Sequence, residues 1–107
     1  FTPDFQASAA AQRVAAIIRG NTPKGYRGGV DAMTAFNVTE RLAEIRQPTL
    51  VMPGALDQGT PVSCSETIAA RIPDARLEVI ADARHIAIVE QPEACNRHLL
   101  DHLNRYA

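Results

Sequence analysis

Asp57 and His85 are the two side chains of this sequence best suited to act together chemically. Each falls just past a short apolar run, Thr49-Leu50-Val51-Met52 for the aspartate and Leu77-Glu78-Val79-Ile80 for the histidine. A carboxylate held against one imidazole nitrogen fixes the tautomer and stabilises the imidazolium. The other nitrogen can then take a proton from a hydroxyl nucleophile. Imidazole suits this task because its unperturbed pKa lies at about 6.5. Each residue also has an ordinary reading. An aspartate in a loop such as Gly54-Ala55-Leu56-Asp57 commonly bonds local backbone N–H groups in a turn, and a loop histidine is commonly polar surface. Ligands in open α/β sheets gather at the carboxyl ends of strands, so finding both residues there favours the acid–base reading. The nucleophile of such a set is missing, because no Gly-x-Ser-x-Gly elbow occurs anywhere in the chain.

The elements that must position this pair divide near residue 47. Before it the pattern is helical. Ala10, Val14, Ile17 and Ile18 predict one helix over residues 4–19, stopped by Gly20-Asn21. Thr22 then reads as an N-cap and Pro23 as a first helical residue, opening a helix to about Phe36 with Tyr26, Val30 and Met33 on one face. Gly25, Gly28 and Gly29 each weaken that helix by about 1 kcal/mol relative to Ala, a cost consistent with close approach of another backbone. A short helix from Thr39 to Ile45 follows, with Leu42 and Ile45 inward.

After residue 47 strands and helices alternate. Residues 47–54 form an apolar run bounded by Pro48, Pro53 and Gly54, the pattern of a strand covered on both faces. Pro61 to Ile72 reads as a helix with Cys64, Ile68 and Ile72 stacked, and residues 76–80 as a second strand. A helix between two strands makes a βαβ unit with a parallel pair. Gln91-Pro92-Glu93 opens a last helix with Cys95, Leu99 and Leu103 inward, ending near Tyr106. The fold class is therefore α/β, two parallel strands with flanking helices preceded by further helices. Two parallel strands are a poor sheet, and the edge beside residues 49–52 is expected to be open and to self-associate.

Composition excludes several classes. The chain has 107 residues, 46% hydrophobic and 21% charged, which is globular rather than disordered. Eleven Lys plus Arg against 12 Asp plus Glu give a net charge of −1, without the basic excess of a nucleic-acid surface. No apolar run approaches the roughly 20 residues of a membrane span. No signal peptide pattern opens the sequence, and the expected compartment is the cytoplasm. Position 1 is not Met, so the chain is expected to lie inside a longer polypeptide. Cys64 and Cys95 are expected to be buried free thiols. His98 and His102 share a helix face, but no further ligands accompany them, so solvated histidines are expected rather than a metal site. Arg84 is expected to point to solvent. No cofactor is implied, because triad hydrolysis needs only water.

Residues 42–103 resemble the C-terminal signature of the α/β-hydrolase superfamily. The phrases are Leu42-Ala43-Glu44-Ile45-Arg46-Gln47-Pro48-Thr49-Leu50-Val51, Gly54-Ala55-Leu56-Asp57 with Thr60-Pro61, Ala70-Arg71-Ile72-Pro73-Asp74-Ala75-Arg76-Leu77, and His85 with Glu90-Gln91-Pro92-Glu93. The resemblance implies Asp57 as the triad acid and His85 as the general base. Thr22-Pro23-Lys24-Gly25-Tyr26, followed by Ala32 and Phe36, is similar to the segment after the lid in 3-oxoadipate enol-lactonases, which hydrolyse an enol-lactone during bacterial aromatic breakdown. On that resemblance residues 1–36 are the helical end of the lid with its returning helix, and 37–107 are the C-terminal βαβα part of the core. One departure is Arg84, which stands where the family commonly has Gly before its histidine. The implied function is the acid–base half of a serine-type ester or lactone hydrolase, inactive without its nucleophile. Other esterases, carbon–carbon hydrolases and a non-catalytic interaction module are the alternatives.

Overall fold

The computed structural model describes residues 1–107. Helix α1 spans Pro3–Gln6 and α2 spans Ala9–Arg19. The single helix expected over residues 4–19 is thus two. The break is at Ser8, whose backbone is extended and whose hydroxyl accepts the Ala11 N–H at 3.0 Å. A serine that caps in this way starts a new helix instead of continuing the old one. Helix α3 spans Pro23–Ala35, with the Thr22 hydroxyl capping the Gly25 N–H at 3.1 Å. Its stripe of Tyr26, Val30, Met33 and Phe36 is exposed, Met33 at 75%. A Cβ added at Gly28 or Gly29 would meet nothing within 4 Å, so no backbone of this chain approaches them.

Residues Thr39–Glu44 wind as a 3₁₀ helix, where the sequence predicts a short helix to Ile45. Ile45 is already extended as the chain heads for Pro48. Leu42 and Ile45 are half-buried. Strand β1 (Thr49–Val51) pairs in parallel with β2 (Ala75–Leu77), in the register Thr49 with Ala75, Leu50 with Arg76 and Val51 with Leu77. The pairing resumes as a single parallel bridge between Gly54 and Ile80. The second strand is therefore shorter than the run 76–80. Helix α4 (Val62–Arg71) makes the crossover and stops at Ile72, which is extended ahead of Pro73. All six strand residues are half-buried rather than covered on both faces.

Two helices complete the chain, α5 (Ala87–Glu90) and α6 (Pro92–Asn104). The main core cluster is Ile80, Ala83, Ala87 and Cys95, with Met52 and Ala94 packed against it. It lies on both sides of His85 in sequence, so the packed centre of the molecule supports the histidine loop. Only 8 of 107 residues are buried. The radius of gyration is 15.6 Å, against about 13 Å for a compact domain of this length. Cys95 is buried as expected, but Cys64 is exposed, because the outer face of α4 has no cover in this chain; both are free thiols. No helix is long and apolar enough to cross a membrane.

Candidate acid–base site

Backbone pairing brings the aspartate and histidine loops together. Past β1, the Ala55 N–H donates to the Ile80 carbonyl at 2.8 Å and the Leu56 N–H to the Ala83 carbonyl at 2.9 Å. Asp82 takes the one positive φ of the chain, 52°, in the turn leading to His85. Aspartate tolerates that region better than most residues, because its short side chain bonds locally. Arg84 does not adopt a positive φ. The loop therefore accepts arginine where the resembling family commonly has glycine.

Asp57 Oδ2 lies 2.8 Å from His85 Nδ1. The carboxylate is fixed from three further directions. The Gly59 N–H donates to Oδ1 at 2.9 Å, the Thr60 N–H to Oδ1 at 3.2 Å, and the Thr60 hydroxyl to Oδ2 at 2.6 Å. The aspartate thus makes the local turn bonds of the ordinary reading and faces the imidazole as well. The Thr60 hydroxyl first, then His85 and the two backbone N–H groups, hold the Asp57 carboxyl far below the usual carboxylate range against the opposing effect of burial. An ionised carboxylate only accepts, so Nδ1 carries the proton toward Asp57. Nε2 of neutral His85 then presents a lone pair.

The imidazole is 66% exposed while the Asp57 side chain is 7% exposed. This contrast suits an acid that is held in place and a base that must reach a reactant. Thr60 Oγ1 also lies 3.2 Å from His85 Nδ1. That hydroxyl faces the wrong nitrogen to act as nucleophile and is already committed to Asp57. No serine of this chain hydrogen-bonds His85. Beside the imidazole, an apolar pocket is lined by Phe1, Val14, Ile18 and Ile86 together with His85 itself.

The other candidates sit elsewhere. His98 Nδ1 is 3.4 Å from Glu78, and the His102 ring meets Tyr106 edge-on. Both histidines are half-buried rather than fully solvated, and no group of three or more His, Cys, Asp or Glu side chains is arranged to hold a metal ion. Arg84 is half-buried, not turned out to solvent as the sequence suggested, with its Nε buried and unpaired. Two contributors carry no role in the sequence reading. Thr60 had a faint signal, a hydroxyl three residues past a loop aspartate. Glu90 stood in the family phrase Glu90-Gln91-Pro92-Glu93, but its contacts had no signal, since its partners Thr2 and Arg84 are remote in sequence or contribute backbone only.

No family model matches the chain. Individual relatives do. The chain is 36% identical over 78% of its length to RutD of Caulobacter sp. (strain K31), a protein named for carbamate hydrolysis. It is 32% identical over 84% of its length to 3-oxoadipate enol-lactonase 1 of Acinetobacter baylyi. Among solved structures, a hydrolase from Pseudomonas aeruginosa PA01 superposes with a TM-score of 0.88 at 34% identity, over 96% of this chain and 39% of that one. The chain is a member of the α/β-hydrolase superfamily and has the architecture of a C-terminal piece of that fold. It spans 31% of RutD and 34% of the enol-lactonase, about a third of the curated relatives it matches.

Proposed function

We propose that this chain supplies the acid and the base of a serine-type α/β hydrolase that cleaves an ester or lactone. The observation that carries the reading is the 2.8 Å contact of Asp57 Oδ2 with His85 Nδ1 on an imidazole otherwise open to solvent. Nε2 takes the proton of a serine hydroxyl supplied from outside these residues, and the serine oxygen attacks the substrate carbonyl. Asp57 stabilises the imidazolium that results. The imidazolium then protonates the leaving oxygen, and the acyl-enzyme is released by water activated at the same nitrogen. The chain alone has no hydroxyl against Nε2 and forms no acyl-enzyme.

The first substrate to test is 3-oxoadipate enol-lactone, supported by the Acinetobacter relative and by the likeness of residues 22–36 to the segment after the lid in such enzymes. A carbamate is the competing substrate, supported by the RutD relative. The experiment is hydrolysis of both by the polypeptide of the complete reading frame, with an arylester as a generic control. Turnover of the lactone alone supports the narrower reading. Turnover of the carbamate or ester without the lactone keeps the hydrolase and replaces its substrate.

A second proposal concerns assembly. β1 pairs on one side only, with β2, and the stripe of α3 is exposed. In their open state they drive self-association of the isolated chain.

A further inference from the structure

Glu90 is a buried charged residue, 5% exposed. Burying a carboxylate is costly unless it is fully hydrogen-bonded, and this one is. Its Oε2 accepts the backbone N–H of Arg84 at 2.9 Å, immediately before His85. Its Oε1 accepts both the backbone N–H and the hydroxyl of Thr2, the N-cap of α1. Two segments far apart in sequence thus close on one side chain, which itself stands at the end of α5 beside the packed core. The Ala83 and Arg84 carbonyls meanwhile back onto Gly54. The histidine loop is held from below by Gly54 and from inside by Glu90.

We propose that Glu90 is the positioning residue of His85, fixing the loop through the Arg84 N–H and fastening the residue 1–6 segment to that loop. The inference rests on the acid–base reading of His85. A glutamine cannot replace the glutamate, because both carboxylate oxygens accept and one amide face must donate. Glu90→Gln therefore leaves either Thr2 or Arg84 facing another donor. Burial works to raise the Glu90 pKa, but the Arg84 N–H, then the Thr2 hydroxyl and N–H, outweigh it and hold the carboxyl below its ordinary range.

The test uses amide exchange and turnover in the polypeptide of the complete reading frame. In Glu90→Gln the Arg84 and His85 amides are expected to exchange roughly tenfold faster, while α4 and α6 keep their protection. The kcat falls about 10- to 100-fold with KM within about twofold. Thr2→Val retains the Arg84 bond and is expected to leave Arg84 exchange near that of the unmutated protein. Unchanged Arg84 exchange in Glu90→Gln overturns the proposal, as does a loss of protection spread evenly over the whole chain. If that variant does not fold, the unmutated protein decides: the Arg84 amide proton shift must follow the Glu90 carboxyl as it titrates, and indifference to that titration overturns the assignment. The amide readouts need no turnover, so a failure of the hydrolase reading is seen separately as absent activity in the unmutated protein.

Discussion

Gly54 lies against the backbone of Arg84. A Cβ at position 54 would collide with the Arg84 and Ala83 carbonyl oxygens. The residue that ends the β1 side of the sheet pairing is thus in direct contact with the one that precedes His85. The seam continues through the Leu56 N–H to the Ala83 carbonyl. The spacing of Asp57 and His85 is set by this backbone contact rather than by their side chains. Gly54→Ala is expected to destabilise the protein by about 1–3 kcal/mol through overpacking and to part the two loops. A urea titration gives the first quantity, and the His85 ring shifts report the second. An unchanged midpoint would show that the seam yields freely.

Thr60 pins the Asp57 carboxylate through its hydroxyl at 2.6 Å. Thr60→Val keeps the backbone N–H bonds to Oδ1 and removes only that donor. A hydrogen bond to a charged group of this kind is worth roughly 1.5–3 kcal/mol. The Asp57 pKa is expected to rise, and turnover by the complete hydrolase to fall at least about tenfold with the fold intact. Carbon-13 titration of the Asp57 carboxyl and a kcat measurement check the two halves. Equal carboxyl titration in both proteins would remove Thr60 from the site.

Acid should loosen the molecule in a defined direction. Asp57 and Glu90 both have folded pKa values below their ordinary ones, Asp57 chiefly through the Thr60 hydroxyl and Glu90 through bonds that outweigh its burial. Unfolded carboxylates titrate at about 4. The unfolded chain therefore binds more protons below that pH, and the carboxylate contribution is fully present above about pH 5 and lost as pH falls toward the folded values. The gap in urea midpoint between the unmutated protein and Asp57→Asn is expected to be constant above about pH 5 and to shrink below about pH 4. A gap that widens in acid would reverse the sign of this account.

The isolated chain should not remain a monomer. The free edge of β1, the exposed Met33 of α3 and the exposed Phe36 that caps it are the surfaces responsible. Sedimentation velocity is expected to show dimers or larger species, reduced by a Met33→Glu and Phe36→Ser pair of changes. A sharp monomer boundary at all concentrations would contradict the assembly proposal.

The βαβ unit and the placement of Asp57 and His85 were legible because Pro48, Pro53 and Gly54 bound the first apolar run and Pro73-Asp74 stops the helix ahead of the second. Punctuation of that kind survives without tertiary context. The break at Ser8 was hidden because the apolar stripe runs on across it, and a capping hydroxyl reads locally like any other serine. Helix α5 is a single turn, too short to show a period. Cys64 was misplaced because its helix face is apolar but uncovered here. The clasp of Glu90 was illegible for a different reason. It joins Thr2 and Arg84, and no local pattern encodes a contact spanning nearly the whole chain.

His85, oriented by Asp57, is proposed as the base of a serine-type hydrolase. The most direct measurement is kcat/KM for ester or lactone hydrolysis by the polypeptide of the complete reading frame, unmutated and as His85→Ala and Asp57→Asn. Turnover is expected to fall about 10⁴-fold in Asp57→Asn and about 10⁶-fold in His85→Ala, with a serine outside residues 1–107 labelled by a fluorophosphonate probe. Turnover that persists in His85→Ala, or a complete polypeptide with no probe-reactive serine, would contradict it.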